Sequence, residues 1–363
     1  MYNKEKWCPS LRSLFINITQ RCNLLCKHCY INPSYSTTEG KVENELDIDL
    51  LKNFIDQAIP LGLRSIKITG GEPFLRTRDV LDLCHYAKDR RISIIIETNG
   101  TLIDEKIAHA LAQAKVNFVG VSLDGAEAET HEALRGVQGC YEKALNAIEK
   151  LVSYGINVQI IVSMYKGNID EYPDILELGM RLGVGSIRFL WISETGRAEL
   201  MKQDDKISDE ERLRLYNETF DNKNITCLSN VPIAFRKTSD IVKRGANACS
   251  ILNLLGVLAD GSISICGMGE HSEKLIIGKV ENSNLEDLWK HHPLLLDLRK
   301  TVPDKLEGVC SICIHKTECM GFCRTVEFIK TGSFTTPYSW CQNVFDSGLF
   351  PENRLFFTNL RGS

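Results

Sequence analysis

No run of about 18 apolar residues occurs in this chain, and no charged-then-apolar leader opens it, so neither a membrane span nor a secretory signal is supported. Net positive charge is also missing. The formal charge of −4 offers no electrostatic footprint for a nucleic-acid backbone. No internal repeat of the solenoid kind is visible. What remains is an ordinary globular composition, 43% hydrophobic and 25% charged. Its 363 residues suffice for two domains, or for one barrel with an appendage. The expectation is a cytoplasmic protein with no nucleic acid and no membrane among its partners.

Cysteine, by contrast, is abundant, with 14 in the chain. In a reducing compartment, clustered cysteines mean metal rather than disulfides. Cys8, Cys84, Cys140 and Cys227 stand alone, as small buried hydrophobes do. The others are patterned. Cys22, Cys26 and Cys29 follow the apolar run Leu14-Phe15-Ile16-Asn17-Ile18, where a strand gives way to a loop. An iron–sulfur cube normally takes four thiolates. With three, one iron keeps positions open to an exogenous chelator, as catalytic metal sites do.

Between Leu14 and Ile192, short β-branched runs alternate with amphipathic stretches. Strands are expected at Leu14–Ile18, Ser65–Thr69, Ser93–Glu97, Phe118–Ser122, Asn157–Val162 and Ser186–Trp191. Helices are expected at Asp47–Pro60, Thr77–Asp89, Asp104–Ala114, Cys140–Tyr154 and Asp170–Leu182. Strand–helix units in series imply a parallel sheet with right-handed crossovers, either doubly wound or an incomplete barrel. Polar, glycine-rich turns follow the strands: Gly70-Gly71-Glu72-Pro73, Thr98-Asn99-Gly100 and Ser122-Leu123-Asp124-Gly125. They share the strands' C-terminal ends with the three cysteines, the face where such folds place active sites.

Residues 201–245 are expected to bridge two modules, with one helix at Asp209–Phe220. Asp260-Gly261 between alternating arms signals a hairpin. A helix follows, with Leu285, Leu288 and Trp289 on one face, and then Cys310-x2-Cys313-x5-Cys319-x3-Cys323 and Cys341. With Cys249 and Cys266, these cysteines sit in a segment too poor in regular structure to build a large core, so metal centres are expected to stabilise it. Zinc sites would fit the C-x2-C spacing. The open cluster upstream favours iron–sulfur.

Taken together, these marks resemble the radical S-adenosylmethionine (SAM) enzymes with a C-terminal SPASM domain, over roughly residues 12 to 345. The triple-cysteine motif is matched by Cys22, Cys26 and Cys29, and the Gly-Gly-Glu-Pro motif by Gly70, Gly71, Glu72 and Pro73. The SPASM pattern is filled by Cys249, Gly261, Cys266, Cys310, Cys313, Cys319, Cys323 and Cys341. The resemblance implies a partial (β/α)6 barrel over 12–200, the bridge 201–245, a small cysteine-rich domain with a β-hairpin and short helices over 246–345, and a tail 346–363. It implies a [4Fe–4S] cluster on Cys22, Cys26 and Cys29 that binds SAM. Gly70, Gly71, Glu72, Pro73, Asn99, Ser122, Arg135 and His28 are the implied SAM contacts, Arg135 for its carboxylate and His28 near its adenine. Two auxiliary [4Fe–4S] clusters are implied, the first on Cys249, Cys266 and Cys323, the second on Cys310, Cys313, Cys319 and Cys341. The first lacks one ligand, which Cys227, the substrate or another ligand would supply.

Two departures narrow the reaction. Formylglycine-forming members carry an Asp after the cysteine matching Cys266, and here Gly267 and Met268 follow. No extension of the leader-recognising kind precedes the barrel, so leader binding is expected from a separate partner. The expected function is hydrogen abstraction in maturation of a ribosomally made peptide, with flavodoxin or ferredoxin as electron donor. Action on a tetrapyrrole side chain or carbohydrate is the alternative, and a non-catalytic zinc or iron–sulfur module the rival from another class. No residue is singled out as catalytic.

Overall fold

The structure, a computed structural model, describes residues 8–220, 224–245 and 249–356. Of the expected domains, 246–248 and the end of the tail, 357–363, lie outside the described residues. The chain divides into two compact units.

The larger unit comprises Ser10–Asn230 and Leu254–Glu286. Arg21–Cys22 pairs with Ser34–Tyr35 in a small separate ladder; the strands of the main sheet are β1 (Ser13–Asn17), β2 (Ser65–Thr69), β3 (Ser93–Thr98), β4 (Phe118–Ser122), β5 (Val158–Met164), β6 (Ser186–Trp191), β7 (Thr226–Ser229), β8 (Leu254–Val257), β9 (Ser262–Ser264) and β10 (Ile276–Lys279). They form one open sheet in the order β10-β9-β8-β1-β2-β3-β4-β5-β6-β7. From β8 to β7 every neighbouring pair is parallel, whereas β9 and β10 run antiparallel at one edge. The crossovers are α1 (Ile48–Ala58), α2 (Thr77–Asp89), α3 (Glu105–Gln113), α4 (Ala128–Arg135), α5 (Cys140–Ser153) and α6 (Tyr172–Arg181), and α7 (Asp209–Phe220) precedes β7. All six expected strands and all five expected crossover helices are present, with ends shifted by one or two residues.

Alternation builds this layer. In β2 and β3, Ile66, Ile68, Ile94 and Ile96 are buried, while Lys67, Ile95 and Glu97 between them point to the opposite face and are half-buried. Leu51, Phe54, Ile55 and Ala58 give α1 its buried stripe. Asp47 caps this helix by accepting the Asp49 N–H at 2.9 Å, and Asp104 caps α3 by accepting the Ile107 N–H at 2.8 Å.

The expected hairpin around Asp260-Gly261 forms, with Val257 opposite Ile263 and Gly261 at φ +79°. Its placement differs from the expected boundary at residue 246. β8 pairs in parallel with β1, Ser13 against Leu254, so the hairpin extends the large sheet. The supposed bridge likewise carries β7, whose Cys227 lies against Ile187 of β6. Four residues with two polar side chains gave no alternation to announce that strand.

The second unit comprises Met1–Pro9, Val231–Asn253 and Asp287–Ser363. Its described part consists of short helices, among them Thr238–Arg244, Pro293–Thr301, Gly308–Ile312, Arg324–Thr331 and Ser339–Asp346. Small aromatic contacts hold it, with the rings of Phe328 and Phe334 stacked at 4.4 Å and those of Phe235 and Trp340 tilted, 4.6 Å apart. Arg324 is fully buried and donates to the carbonyls of Phe334, Thr336 and Gly321.

Candidate functional site

Cys22 and Cys26 are buried and Cys29 is half-buried, in the loop that leaves β1. Leu24 and Cys140 pack with them. The loop is anchored by its own backbone: the N–H groups of Leu25 and Lys27 donate to the carbonyls of Arg135 and Leu134 at the end of α4. Burial pushes the Cys22 thiol up to about 12 and raises that of Cys26 as well. Such thiols become thiolates when a cationic centre repays the desolvation.

One strand-end turn and one helix reach these sulfurs directly, and two further strand-end turns hold them in place. Asn99, following β3, directs its Nδ2 to Cys22 Sγ at 3.8 Å and to Asn23 Oδ1 at 2.9 Å. Its backbone N–H donates to Glu72 Oε2 at 2.8 Å. Glu72 is completely buried, and its Oε1 accepts from Phe74 N–H at 3.0 Å and from the Thr98 hydroxyl at 2.7 Å. Burial pushes this carboxyl up to about 7, against the three hydrogen bonds. At the end of β4, Ser122 is half-buried and Asp124 fully buried. Arg135 donates its Nε–H to Asp124 Oδ2 at 2.5 Å, and its Nη1 lies 3.7 Å from Cys26 Sγ.

Glycine has a definite task here. Gly70 adopts φ +139°, and a Cβ on it would meet the Thr19 carbonyl at 2.6 Å; on Gly71 it would meet the Arg21 carbonyl at 2.0 Å. The N–H groups of Gly71 and Glu72 donate to those same carbonyls at 2.7 and 2.8 Å. The Gly-Gly turn therefore lets the β2 end dock on the segment entering the cysteine loop. Pro73 opens the short helix Pro73–Arg76, which Glu72 caps.

His28 lies between the second and third cysteines. Burial pushes its ring down to about 3, leaving it neutral, and its Nδ1 is buried with no partner among the described residues.

Several residues here carried no sequence signal of their own. Asp124 also accepts the Ser163 N–H at 2.7 Å and donates its own N–H to His131 Nδ1 at 3.0 Å. Lys67 and Glu97 form an ion pair at 2.6 Å on the half-buried face of β2 and β3. Charged residues at alternate positions of apolar strands were the available clue. Glu270 lies beyond Cys266; Gln20 donates to its Oε2 at 3.2 Å, and its buried Oε1 has no hydrogen-bond partner among the described residues and lies 3.8 Å from His271 Nε2.

Of the distal cysteines, Cys310, Cys313, Cys319 and Cys341 line one cavity in the smaller unit, with Val309, Gly321 and Phe350. Burial raises all four thiols, and each of Cys313, Cys319 and Cys341 is raised further by others of the set. Cys323 is not among the lining residues. Cys249 is exposed and belongs to this unit, whereas Cys266 is buried in the larger one. Cys227 is buried on β7, its thiol 3.8 Å from the Ile225 carbonyl.

Residues 16–179 match the family model described as the radical SAM superfamily. The chain is 29% identical over 346 residues to the AdoMet-dependent heme synthase of Methanosarcina barkeri, covering 89% of this chain and 94% of that protein. It is 28% identical over 319 residues to the mycofactocin maturase MftC of Mycolicibacterium smegmatis, covering 86% and 77%. Among solved structures, Streptococcus suis SuiB bound to its precursor peptide SuiA superposes with a TM-score of 0.75 at 19% identity, covering 93% of this chain and 77% of that one. No described helix is long and apolar enough to cross a membrane.

Proposed function

We propose that this chain, an enzyme whose residues 16–179 form a radical SAM domain, uses Cys22, Cys26 and Cys29 to hold the [4Fe–4S] cluster on which SAM binds. The observation that carries the reading is the wiring of the cysteine sulfurs to the strand ends, Cys22 through Asn99 to Glu72 and Cys26 through Arg135 to Asp124.

The residues present suit the group. Among the described residues no three His, Cys, Asp or Glu side chains surround a single ion position. A four-iron cube does not ask for that, since each thiolate takes a different iron. N–H donors from Leu24, Asn99 and Arg135 already point at the sulfurs, as hydrogen bonds that tune cluster potentials do. A cluster held there would, when reduced, supply the electron for reductive cleavage of SAM and so the radical chemistry for substrate hydrogen abstraction.

The chain's own residues do the rest. Gly70, Gly71 and Pro73 set the β2 end against the cysteine loop, and Glu72 braces that turn to Asn99. Glu72 retains acceptor capacity for the SAM amino group. Asn99 and Ser122 edge the space above the strands, and neutral His28 offers a flat ring to adenine. Arg135 steadies Asp124 and Cys26. Cys310, Cys313, Cys319 and Cys341, sharing one cavity, suit a complete auxiliary [4Fe–4S] cluster. That cluster would receive electrons released from substrate, and a flavodoxin or ferredoxin would reduce the SAM cluster.

For substrate we favour a ribosomally made peptide, bound with the help of a separate leader-binding protein, on the extended similarity to the maturase MftC. The longer match to the heme synthase supports a tetrapyrrole as the second reading.

Anaerobic reconstitution tests the core of this. Iron with acid-labile sulfide, and 5′-deoxyadenosine formed from SAM and a strong reductant, are expected, with Cys26→Ala forming none. Zinc without sulfide would overturn it. Deuterium transfer from labelled peptide or tetrapyrrole into 5′-deoxyadenosine separates the two substrates.

A further inference from the structure

Glu270 and His271 lie in the short helix Gly269–His271, which follows the hairpin strand β9. Their side chains are 7% and 17% exposed, and Glu270 Oε1 stands 3.8 Å from His271 Nε2, too far for a hydrogen bond. Both atoms are buried, and neither has a hydrogen-bond partner among the described residues. The rest of each side chain is engaged. Gln20 donates to Glu270 Oε2 at 3.2 Å, and the His271 ring donates to the Tyr30 backbone carbonyl. Since Nε2 makes no such bond, the donor is Nδ1–H. Burial holds this ring below its usual range, and in a neutral imidazole Nε2 is then a bare acceptor.

The charges that act on this pair are negative, Asp260 on Glu270 and Glu199 on His271. Lys279 is bound to Asp260 and Lys67 to Glu97, each at 2.6 Å, so those lysines are committed. Tyr30, directly after Cys29, is reached by the charges of Glu270 and Glu97 and by those of Cys29 and Cys266. The pair thus shares its surroundings with the cysteine loop and with the half-buried face of β2 and β3. Two buried acceptors without a donor cost free energy, and so does a buried carboxylate without a counter-ion. Burial pushes the Glu270 carboxyl up to about 7 accordingly. A primary ammonium relieves both costs, since it brings positive charge and three N–H donors. At a separation of 3.8 Å, one nitrogen at an ordinary hydrogen-bond length of about 2.9 Å touches both acceptors.

We propose that Glu270 Oε1 and His271 Nε2 together receive a primary ammonium of the substrate, from a lysine side chain or from the α-amino group of a peptide. The proposal rests on the reading that this chain acts on a ribosomally made peptide, and it narrows that class to peptides carrying a positive charge near the reacting residue. Glu270 supplies the counter-charge. His271, fixed by its bond to Tyr30, supplies direction, and because Tyr30 follows Cys29 the held nitrogen keeps a set relation to the cysteine loop. The same groups would repel an anionic tetrapyrrole propionate.

Anaerobic equilibrium dialysis of the reconstituted holoenzyme tests this with three probes. Nα-acetyl-lysine methylamide carries a side-chain ammonium, norleucine methylamide an α-ammonium, and Nα-acetyl-norleucine methylamide no charge. The wild type is expected to prefer one ammonium probe to the uncharged one, and which it prefers tells the two sources apart. Glu270→Gln should weaken that probe by roughly 10- to 100-fold and leave the uncharged probe unchanged, and His271→Leu should weaken it less. Unchanged iron content shows that the variants are folded. A wild type with no preference for either ammonium probe, or a preference that survives Glu270→Gln, would overturn the assignment while the peptide reading stood. Deuterium transfer into 5′-deoxyadenosine from a labelled tetrapyrrole and from no peptide would sink the peptide reading itself, whatever the probes show.

Discussion

Arg135 and Asp124 form an ion pair at 2.5 Å with both side chains nearly sealed from solvent, 9% and 0% exposed. Burial alone would lower the Arg135 pKa and raise that of Asp124, and each partner's charge reverses the other's shift. Removing one member strands the other in a low-dielectric site. Asp124→Ala or Arg135→Ala should each cost about 3–5 kcal/mol, measured by urea unfolding. The double variant should be less damaged than the sum of the singles.

Gly71→Ala is expected to destabilise by about 1–3 kcal/mol or more. The new Cβ would fall 2.0 Å from the Arg21 carbonyl oxygen, which is backbone and cannot swing away. Gly139→Ala is the control. Gly139, unlike Gly71, has positive φ, +77°, and open space around its Cβ position, so only the left-handed backbone costs, about 1–2 kcal/mol. Thermal melts of the pair separate collision from backbone strain.

Glu270 gives a pH signature. Burial pushes its carboxyl from 4.5 up to about 7. The folded state therefore holds a proton that the unfolded chain releases above pH 4.5, so stability falls as pH rises through that window and levels off above 7. One pKa unit is about 1.4 kcal/mol, which makes the swing roughly 3 kcal/mol. Glu72 is raised over the same window, so Glu270→Gln should remove about half of the combined slope in unfolding curves taken between pH 5 and pH 8. An unchanged slope would show that Glu270 is not its source.

Among the distal cysteines, serine at Cys310, Cys313, Cys319 or Cys341 should remove the same cluster's worth of iron and sulfide from the reconstituted protein, because these four share a cavity. Cys323→Ser should leave that cluster in place. Iron and sulfide analysis with electron paramagnetic resonance of the reduced protein would show it.

Much of this architecture was legible from periodicity. Ser65–Thr69, Phe118–Ser122 and Ser186–Trp191 fall where the β-branched runs predict, because alternation reports a half-buried strand directly. The helix Ala128–Arg135 was not anticipated. Its buried face is His131, Leu134 and Arg135, two of them polar, so burial there follows hydrogen bonding rather than hydropathy. The site divides the same way. Spacing marked the cysteines and the Gly-Gly turn, whereas the Asp124–Arg135 pair and the open acceptors of Glu270 and His271 depend on which side chains meet, and that is a property of the folded chain. The glycines gain a further reason for being there, the close docking of two loops.

β1, which leads into the cysteine loop, has β2 on one side and β8 on the other. Its second neighbour lies about 240 residues downstream, Ser13 facing Leu254. During synthesis that side of β1 must wait, unpaired, until most of the chain has emerged, a high-contact-order closure of the kind that slows folding. Residues 10–230 expressed alone would keep all three cysteines but expose β1 as a bare edge, open to pairing between molecules. The minimal competent unit therefore runs through the hairpin.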